Sequence, residues 1–324
     1  MRRIGILGAG AWGTALAVVA REAGREVVLW TRRKSLARSI VETGRNPDYL
    51  NGVALGPRIA ATADPAEAAG ADALLLAVPA QAVRKTCALL APHLAPSVPV
   101  AVCAKGIERE SAKTMSEVAG EALPGNPAAI LSGPTFAAEV ARGQPAAVTL
   151  ACRDIEIAEA LAGALATPSF RPYHSDDVAG AEIGGAVKNV LAIACGIVEG
   201  RGLGENARAA LITRGLAEMT RLARARGGRA ETMMGLAGLG DLTLTCASRT
   251  SRNYSYGVAL GAGLPAESGA VVEGVATSAA AVRLAGRHGV EMPIAEAVAA
   301  ILHDGTEIDA AIAGLLARPR RAEA

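Results

Sequence analysis

The stretch Arg3-Ile4-Gly5-Ile6-Leu7-Gly8-Ala9-Gly10-Ala11-Trp12-Gly13 decides the fold of this chain. Its first five residues predict a short buried strand, and a helix through about residue 23 is predicted to follow. Between them stands the pattern Gly-x-Gly-x-x-Gly. In this strand–loop–helix setting the pattern indicates a dinucleotide site, because the glycines allow a tight turn, a close approach to the pyrophosphate and helix packing on the strand. A glycine-rich turn without a ligand is the alternative.

Strand and helix patterns alternate through the first half of the chain. Further apolar runs predict strands at residues 26–30, 73–78, 98–103, 128–131, 146–151 and 170–173, and helices are predicted at 81–90 and 111–121. This alternation is typical of a doubly wound (Rossmann-type), mostly parallel sheet.

After residue 176 the strand patterns largely stop and helical periodicity dominates. Helices are predicted at residues 183–199, 206–226, 251–260, 276–286, 294–302 and 308–317. We therefore predict an α/β chain with a dinucleotide-binding domain at residues 1–178, followed by an all-α substrate and catalytic domain at residues 179–324.

The composition narrows the class of protein. The chain has 324 residues, of which 51% are hydrophobic, so it can build two cores without metals or disulfides. The net charge of +2, without a long basic run, argues against nucleic-acid and membrane-surface binding. Scattered cysteines and histidines predict free thiols and no metal site. No signal peptide or membrane-spanning run is apparent, so we expect a cytoplasmic protein.

Two lysines lie in surroundings that suit chemistry. Lys188 lies in a stretch that otherwise predicts a buried helix, and a buried ammonium is costly unless it is paired or loses its proton. Such a lysine is neutralised by a partner or kept for acid–base chemistry. Lys105 follows an interior strand, at the end where ligands bind in such sheets. Each lysine also has an alternative interpretation. The small residues near Lys188 could serve close helix packing, with the Lys188 side chain extending to solvent. Lys105 could be an ordinary surface lysine.

Two further segments carry candidate polar groups. Residues 235–241 predict a glycine-rich turn that presents Asp241, which could hold a lysine or bind a substrate hydroxyl; a turn or cap aspartate is the commoner role. Residues 250–253 predict a helix start that combines a hydroxyl cap, Arg252 and free amides. That combination suits a phosphate, although an ordinary cap explains it equally.

The second strand ends in Thr31-Arg32-Arg33-Lys34, without the acidic residue that NAD-selective sites place there. Arg32 and Arg33 could bind a 2′-phosphate, so we expect NADPH to be accepted. The alternative is that these arginines begin a solvated helix.

Together these segments resemble the bacterial NAD(P)-dependent glycerol-3-phosphate dehydrogenases over nearly the whole chain. The motifs that carry the resemblance are residues 8–13, 46–50, 104–106, 132–137, 185–190, 213–219, 238–242, 251–253 and 271–274. The resemblance implies reversible reduction of dihydroxyacetone phosphate to sn-glycerol 3-phosphate, the backbone for phospholipid synthesis. It also implies NADP(H), NAD(H) or both as cofactor, and no metal.

The resemblance assigns roles to individual residues. Lys188 is the proton donor in reduction and the acceptor in oxidation, and Lys105 and Asp241 flank the reacting carbon. The substrate-binding positions are Lys105, Gly133, Thr135, Lys188, Asp241, Ser251, Arg252 and Asn253. The cofactor-binding positions are Gly8, Gly10, Ala11, Trp12, Gly13, Arg32, Arg33, Tyr49, Lys105, Ala137, Arg252, Val271 and Glu273. Ala11 stands where the family often has serine, which we expect to leave the chemistry unchanged.

These assigned positions imply a shifted pKa for Lys188. Burial and the nearby Lys105 should lower the pKa of Lys188, and Asp241 should oppose that shift. Two rival functions remain at this stage: a sister dehydrogenase acting on a hydroxy acid or sugar acid, and a nucleotide-sensing regulator without turnover. A homodimer is compatible with the sequence, but the helical pattern identifies no interface.

Overall fold

The computed structural model describes residues 1–265 and 271–319, and one eight-stranded sheet occupies the first half of the chain. The strands are β1 (Arg3–Leu7), β2 (Glu26–Trp30), β3 (Ile59–Thr62), β4 (Ala73–Leu76), β5 (Val100–Val102), β6 (Ala128–Ser132), β7 (Ala146–Cys152) and β8 (Phe170–Ser175). Their order in the sheet is β3-β2-β1-β4-β5-β6-β7-β8. The first six strands are parallel, and β7 and β8 run antiparallel to them. The predicted doubly wound, mostly parallel sheet is confirmed.

Helices cover the sheet, so its central strands are buried on both faces. The helices of this half are α1 (Ala11–Glu22), α2 (Lys34–Thr43), α3 (Pro65–Ala69), α4 (Val83–Leu90), α5 (Met115–Ala122), α6 (Ala137–Ala141) and α7 (Ile155–Leu165). Successive side chains of a strand point to opposite faces, so Ile6 and Leu7 of β1 enter two different apolar cores.

A third apolar core lies within the second half, which is helical. Its helices are α8 (Val178–Gly200), α9 (Gly204–Ala225), α10 (Ala230–Met234), α11 (Asp241–Cys246), α12 (Arg252–Gly261), α13 (Glu273–Arg287), α14 (Pro293–His303) and α15 (Ile308–Leu316). The central helix α8 packs against α9, α11, α12 and α13. It is long and apolar enough to cross a membrane, but its whole apolar window is buried inside the protein, as in the core helix of a globular domain.

Some predicted boundaries were wrong. The helix predicted at 111–121 begins at Met115, because Thr114 and Glu117 form a capping box there and Ala112 adopts a left-handed φ of 53°. The elements that the sequence did not predict are β3, α3, α7, α10 and α11, and α2 was predicted only as the alternative role of Arg32 and Arg33. The strand β3 lies at the sheet edge and consists mainly of small residues, so its apolar signal is weak.

Candidate active site

Lys105, Lys188 and Asp241, which we call the lysine–aspartate cluster, meet where the sheet contacts the helical half. The Lys188 ammonium lies 2.6 Å from Oδ1 of Asp241, and the Lys105 ammonium lies 2.7 Å from Oδ2. Each carboxylate oxygen therefore accepts from a different lysine. Asp241 is 1% exposed and Lys188 6%, so both alternatives, a surface Lys105 and an outward-pointing Lys188, are excluded by this geometry.

Lys188 has a second hydrogen-bond partner and a lowered pKa. Its ammonium also donates to Oγ1 of Thr245 at 2.7 Å, and that hydroxyl donates to the main-chain oxygen of Asp241 at 2.6 Å. Burial lowers the pKa of Lys188 to about 8; Asp241 opposes the shift and Lys105 adds to it. The expected direction and its opposing causes are confirmed. A lysine with such a pKa can donate a proton and take it back near neutral pH.

Lys105 reaches the cluster from the loop after β5. Its ammonium also donates to the main-chain oxygen of Gly133 at 2.7 Å. Gly133 follows β6, the next strand in the sheet, so two strand ends and one helix converge on Asp241. Thr135 lies in the same loop, and its hydroxyl is held by the Gly133 oxygen at 3.3 Å.

The sequence predicted that a glycine-rich turn presents Asp241, and this prediction was wrong. Residues Leu236–Gly240 form a π-helical segment, and Asp241 is the first residue of α11. The glycines of this region serve close packing: a Cβ at Gly238 would lie 2.1 Å from the Met233 oxygen. A Cβ at Gly184 of α8 would lie 2.2 Å from the Ala237 oxygen, so small residues near Lys188 do allow the helix to pack closely.

Two residues that the sequence analysis did not assign complete this centre. Thr245 follows Asp241 by one helical turn, and Asn189 is adjacent to Lys188. Nδ2 of Asn189 donates to the main-chain oxygen of Lys105 at 2.9 Å, which ties α8 to the loop after β5. The four-residue spacing of Thr245 from an acid, and the amide of Asn189 in an apolar helix, are the signals that could have identified them.

The start of α12 lies beside this centre. The Ser251 hydroxyl caps the helix by accepting from the Tyr254 amide at 3.3 Å, as an ordinary cap would. The Asn253 side chain donates to Oδ1 of Asn189 at 2.9 Å and accepts from the Gly274 amide at 2.9 Å. Asn253 is thus held inside the protein, whereas Arg252 is exposed and makes no side-chain hydrogen bond or ion pair among the described residues, although its charge acts on Glu273.

The glycine loop (residues 8–13) joins β1 to α1 as predicted. A Cβ at position 13 would lie 1.8 Å from the Gly8 oxygen, so the helix can pack on the loop only with glycine there. A Cβ at position 10 would meet no atom within 4 Å, which leaves space beside the start of α1. No side chain caps that start, and Nε1 of Trp12 is buried without a partner in the described part of the chain. This open, donor-rich cradle fits a dinucleotide pyrophosphate.

The remaining cofactor candidates lie on several segments: after β2, around the start of α13 and at the start of α6. At the end of β2, Arg33 pairs with Asp48 while Arg32 is exposed, and Tyr49, which follows Asp48 directly, is 44% exposed. The loop of Tyr49 is tied to the cradle by Asn46, whose Nδ2 donates to the Ala9 oxygen at 3.0 Å.

At the start of α13, the Glu273 carboxylate accepts a hydrogen bond from the Ala80 amide at 3.0 Å. Burial raises the pKa of Glu273. Glu273 also faces Gly106, where a Cβ would lie 3.3 Å from its Oε2, so it adjoins the loop that carries Lys105. Val271 is 48% exposed, and Ala137 begins α6. In the described ranges 1–265 and 271–319, no group of His, Cys, Asp and Glu side chains could hold a metal ion.

Comparisons with known proteins identify the family of this chain. Residues 3–158 and 177–313 match the family models described as the N-terminus and the C-terminus of NAD-dependent glycerol-3-phosphate dehydrogenase. The glycerol-3-phosphate dehydrogenase [NAD(P)+] of Parvibaculum lavamentivorans is 57% identical over 99% of this chain and 98% of its own length. That of Caulobacter vibrioides is 56% identical over 99% of both chains.

A solved structure supports the same conclusion. Glycerol-3-phosphate dehydrogenase from Coxiella burnetii superposes with a TM-score of 0.92 at 39% identity, over 98% of this chain and 99% of that one. With both family models, these relatives and this structure in agreement, the chain belongs to the NAD-dependent glycerol-3-phosphate dehydrogenase family.

Proposed function

We propose that this chain catalyses the reversible NAD(P)H-dependent reduction of dihydroxyacetone phosphate to sn-glycerol 3-phosphate. The observation that carries the proposal is the buried carboxylate of Asp241 with one lysine ammonium on each oxygen, in a chain of this family. The product supplies the backbone of glycerophospholipids. The reaction needs two things from the protein: a cationic centre for the carbonyl oxygen and a site for the phosphate.

Lys188 acts as the proton donor in reduction. The cofactor, when bound, supplies the hydride to the second carbon of the substrate. Negative charge then develops on the carbonyl oxygen, and the Lys188 ammonium stabilises that charge before it donates a proton to the same oxygen. In oxidation neutral Lys188 accepts the hydroxyl proton. Asp241 keeps both ammonium groups in place, and Lys105 adds a second positive charge beside the reacting carbon.

The phosphate would bind at the start of α12. Ser251 and Asn253 lie on either side of Arg252, whose exposed guanidinium is available for a bidentate contact. The Gly133–Thr135 loop would hold the opposite side of the substrate, next to Lys105.

The cofactor would extend along the glycine loop. Gly8, Gly10, Ala11, Trp12 and Gly13 would hold the pyrophosphate, and Arg32, Arg33 and Tyr49 the adenosine end. Glu273, Val271 and Ala137, with Lys105 and Arg252, would lie toward the nicotinamide. Because the exposed arginines at the end of β2 are not accompanied by an acid in that turn, NADPH should be accepted as well as NADH.

The organisation of the protein follows from these roles. We place the dinucleotide-binding domain at residues 1–178 and the helical substrate domain at 179–324. The helix α8, which carries Lys188, begins at the boundary between the two domains. We also propose a cytoplasmic enzyme that takes a small phosphorylated substrate, binds neither nucleic acid nor membranes, and assembles as a homodimer.

The test is NADPH oxidation by the purified protein with dihydroxyacetone phosphate, repeated with NADH and with unphosphorylated dihydroxyacetone. We expect rapid oxidation that requires the phosphate, with both cofactors accepted. If NADPH binds but no oxidation occurs, the substrate assignment is wrong, and the hydroxy acids and sugar acids of sister dehydrogenases should be assayed next.

A further inference from the structure

A second polar cluster lies at the end of α8, three turns beyond Lys188. We call Glu199, Arg208, Arg249 and Tyr254 the Glu199 cluster. Arg249 donates to Oε1 of Glu199 from Nε at 3.0 Å and from Nη2 at 2.5 Å. The Tyr254 hydroxyl donates to Oε2, and it accepts from Nη1 of Arg208 at 3.0 Å. One carboxylate thus binds two groups from the region where α12 begins.

These two groups bracket the proposed phosphate site. Arg249 precedes residues 251–253 and Tyr254 follows them directly. The Ser255 hydroxyl closes the same segment by donating to the main-chain oxygen of Arg249 at 2.7 Å. Both flanks of the segment are therefore attached to the end of α8, the helix that carries the proton donor.

The contact between α8 and α12 is unusually close along their length. A Cβ at Gly196 would lie 2.2 Å from the Tyr254 oxygen, and a Cβ at Gly257 would lie 2.2 Å from the Ile193 oxygen. The two backbones therefore touch, and α12 cannot slide along α8 without clashes. The Tyr254 oxygen belongs to the first turn of α12, so this packing holds the backbone of that turn, and the Glu199 cluster adds side-chain contacts on both flanks of residues 251–253.

The cluster contributes orientation more than stability. The Arg249 side chain is 70% exposed, and ion pairs of such exposed groups contribute little to the free energy of unfolding. The hydrogen bond from Tyr254, together with Arg249, holds the pKa of Glu199 below its usual range, so the carboxylate stays charged. Tyr254 is 1% exposed, so its hydroxyl has a fixed direction.

We propose that Tyr254 and Arg249 are positioning residues, which act through Glu199 to hold residues 251–253 in the orientation that binds the substrate's phosphate. The inference rests on the proposed function and adds residues to its phosphate site. Neither side chain needs to touch the substrate.

The test compares Tyr254→Phe and Arg249→Gln with matched controls. Tyr256→Phe removes a hydroxyl from the same helix that makes no hydrogen bond within the described residues, and Arg224→Gln removes an exposed arginine from α9. For the first pair we expect the KM for dihydroxyacetone phosphate and the inhibition constant of inorganic phosphate to rise about tenfold. We expect kcat and the KM for NADPH to stay within about twofold of the wild type, because the lysine–aspartate cluster is unchanged.

The possible results separate this inference from the proposed function. If the wild type does not use dihydroxyacetone phosphate, the proposed function fails. If the wild type is active but both variants keep its KM and phosphate inhibition constant, the positioning role is wrong. A parallel loss of kcat and NADPH affinity would also overturn it, because that pattern indicates a general structural role. Arg249→Gln keeps the test decisive if Tyr254→Phe folds poorly, since Arg249 is exposed.

Discussion

The glycine loop is built within one short stretch of chain, between β1 and α1, whereas Asp241 meets Lys188 from 53 positions away and Lys105 from 136 positions away. Part of the loop's shape comes from contacts within its own stretch, such as the approach of position 13 to the Gly8 oxygen. Two hydrogen bonds, from the Gly8 amide to the Trp30 oxygen and from Asn46 to the Ala9 oxygen, join it to β2 and to the loop of Asn46. The lysine–aspartate cluster exists only after the sheet and the helices have packed. From this difference we infer that the glycine loop is specified largely within one stretch of chain, and that the proposed proton-transfer centre is specified by the tertiary structure.

Substitution of Lys188 should separate the two regions most clearly. We expect Lys188→Ala to lower kcat about a thousandfold, because the reaction loses its proton donor, while NADPH binding persists. Steady-state assays with dihydroxyacetone phosphate and a fluorescence titration with NADPH measure the two effects. Lys85→Ala, an exposed lysine of α4, is the control. Near wild-type turnover of the first variant would remove Lys188 from proton transfer.

Removal of the shared carboxylate should have the next largest effect. Asp241→Asn leaves two ammonium groups close together without a counter-charge, so we expect kcat to fall about a hundredfold and the Tm to drop. Without the opposing charge of Asp241, the pKa of Lys188 should fall below its value of about 8 in the unmodified protein. The pH optimum of reduction should then move downward. Asp304→Asn, at an exposed position, is the control. An unchanged pH optimum would contradict the assigned electrostatic role.

A substitution in the glycine loop should weaken NADPH binding, in contrast to the losses of kcat expected from the lysine–aspartate cluster. The Cβ of Gly10→Ala would meet no protein atom within 4 Å, so folding should be unaffected. That Cβ would occupy space that we assign to the pyrophosphate, and we expect the Kd for NADPH to rise about tenfold. Gly163→Ala, on the exposed side of α7, has equal room and should leave binding unchanged. Tight binding by Gly10→Ala would place the pyrophosphate elsewhere.

The smallest effect is the pH dependence of the unmodified enzyme. In the proposed mechanism reduction requires protonated Lys188 and oxidation requires its neutral form, and burial lowers the pKa of Lys188 to about 8. We therefore expect kcat/KM for reduction to be halved near pH 8 as the pH rises, and kcat/KM for oxidation to increase through the same range. Both profiles can be recorded at constant ionic strength. If both directions respond in the same sense, another group controls the reaction.

Motifs and boundaries were predictable to different degrees. The strands of the sheet centre, such as β1 and β2, were predicted from apolar runs because they are buried on both faces. The edge strand β3 was not, since it carries few large apolar residues. The start of α5 was misplaced because the capping box at Thr114 competes with the helical pattern before it.

The candidate site divides in the same way. The sequence identified Lys188 from the cost of its burial and the glycine loop from its pattern. It did not indicate Thr245 and Asn189, because a threonine and an asparagine in helices acquire a role only through what they touch. It also predicted a turn before Asp241, since glycines that serve backbone contact and glycines that serve turns look alike in a sequence.

The sequence by itself determined the family, the doubly wound sheet followed by helices, the glycine loop and most of the residues that we propose carry the chemistry. Only the tertiary structure decided that Asp241 holds both lysines, that the pKa of Lys188 falls to about 8, and that Glu199 ties the start of α12 to α8. The physical reason is that residue type and spacing define local conformation and intrinsic chemistry. Burial and charge pairing, which set the pKa and the orientation of a group, depend on contacts between distant segments.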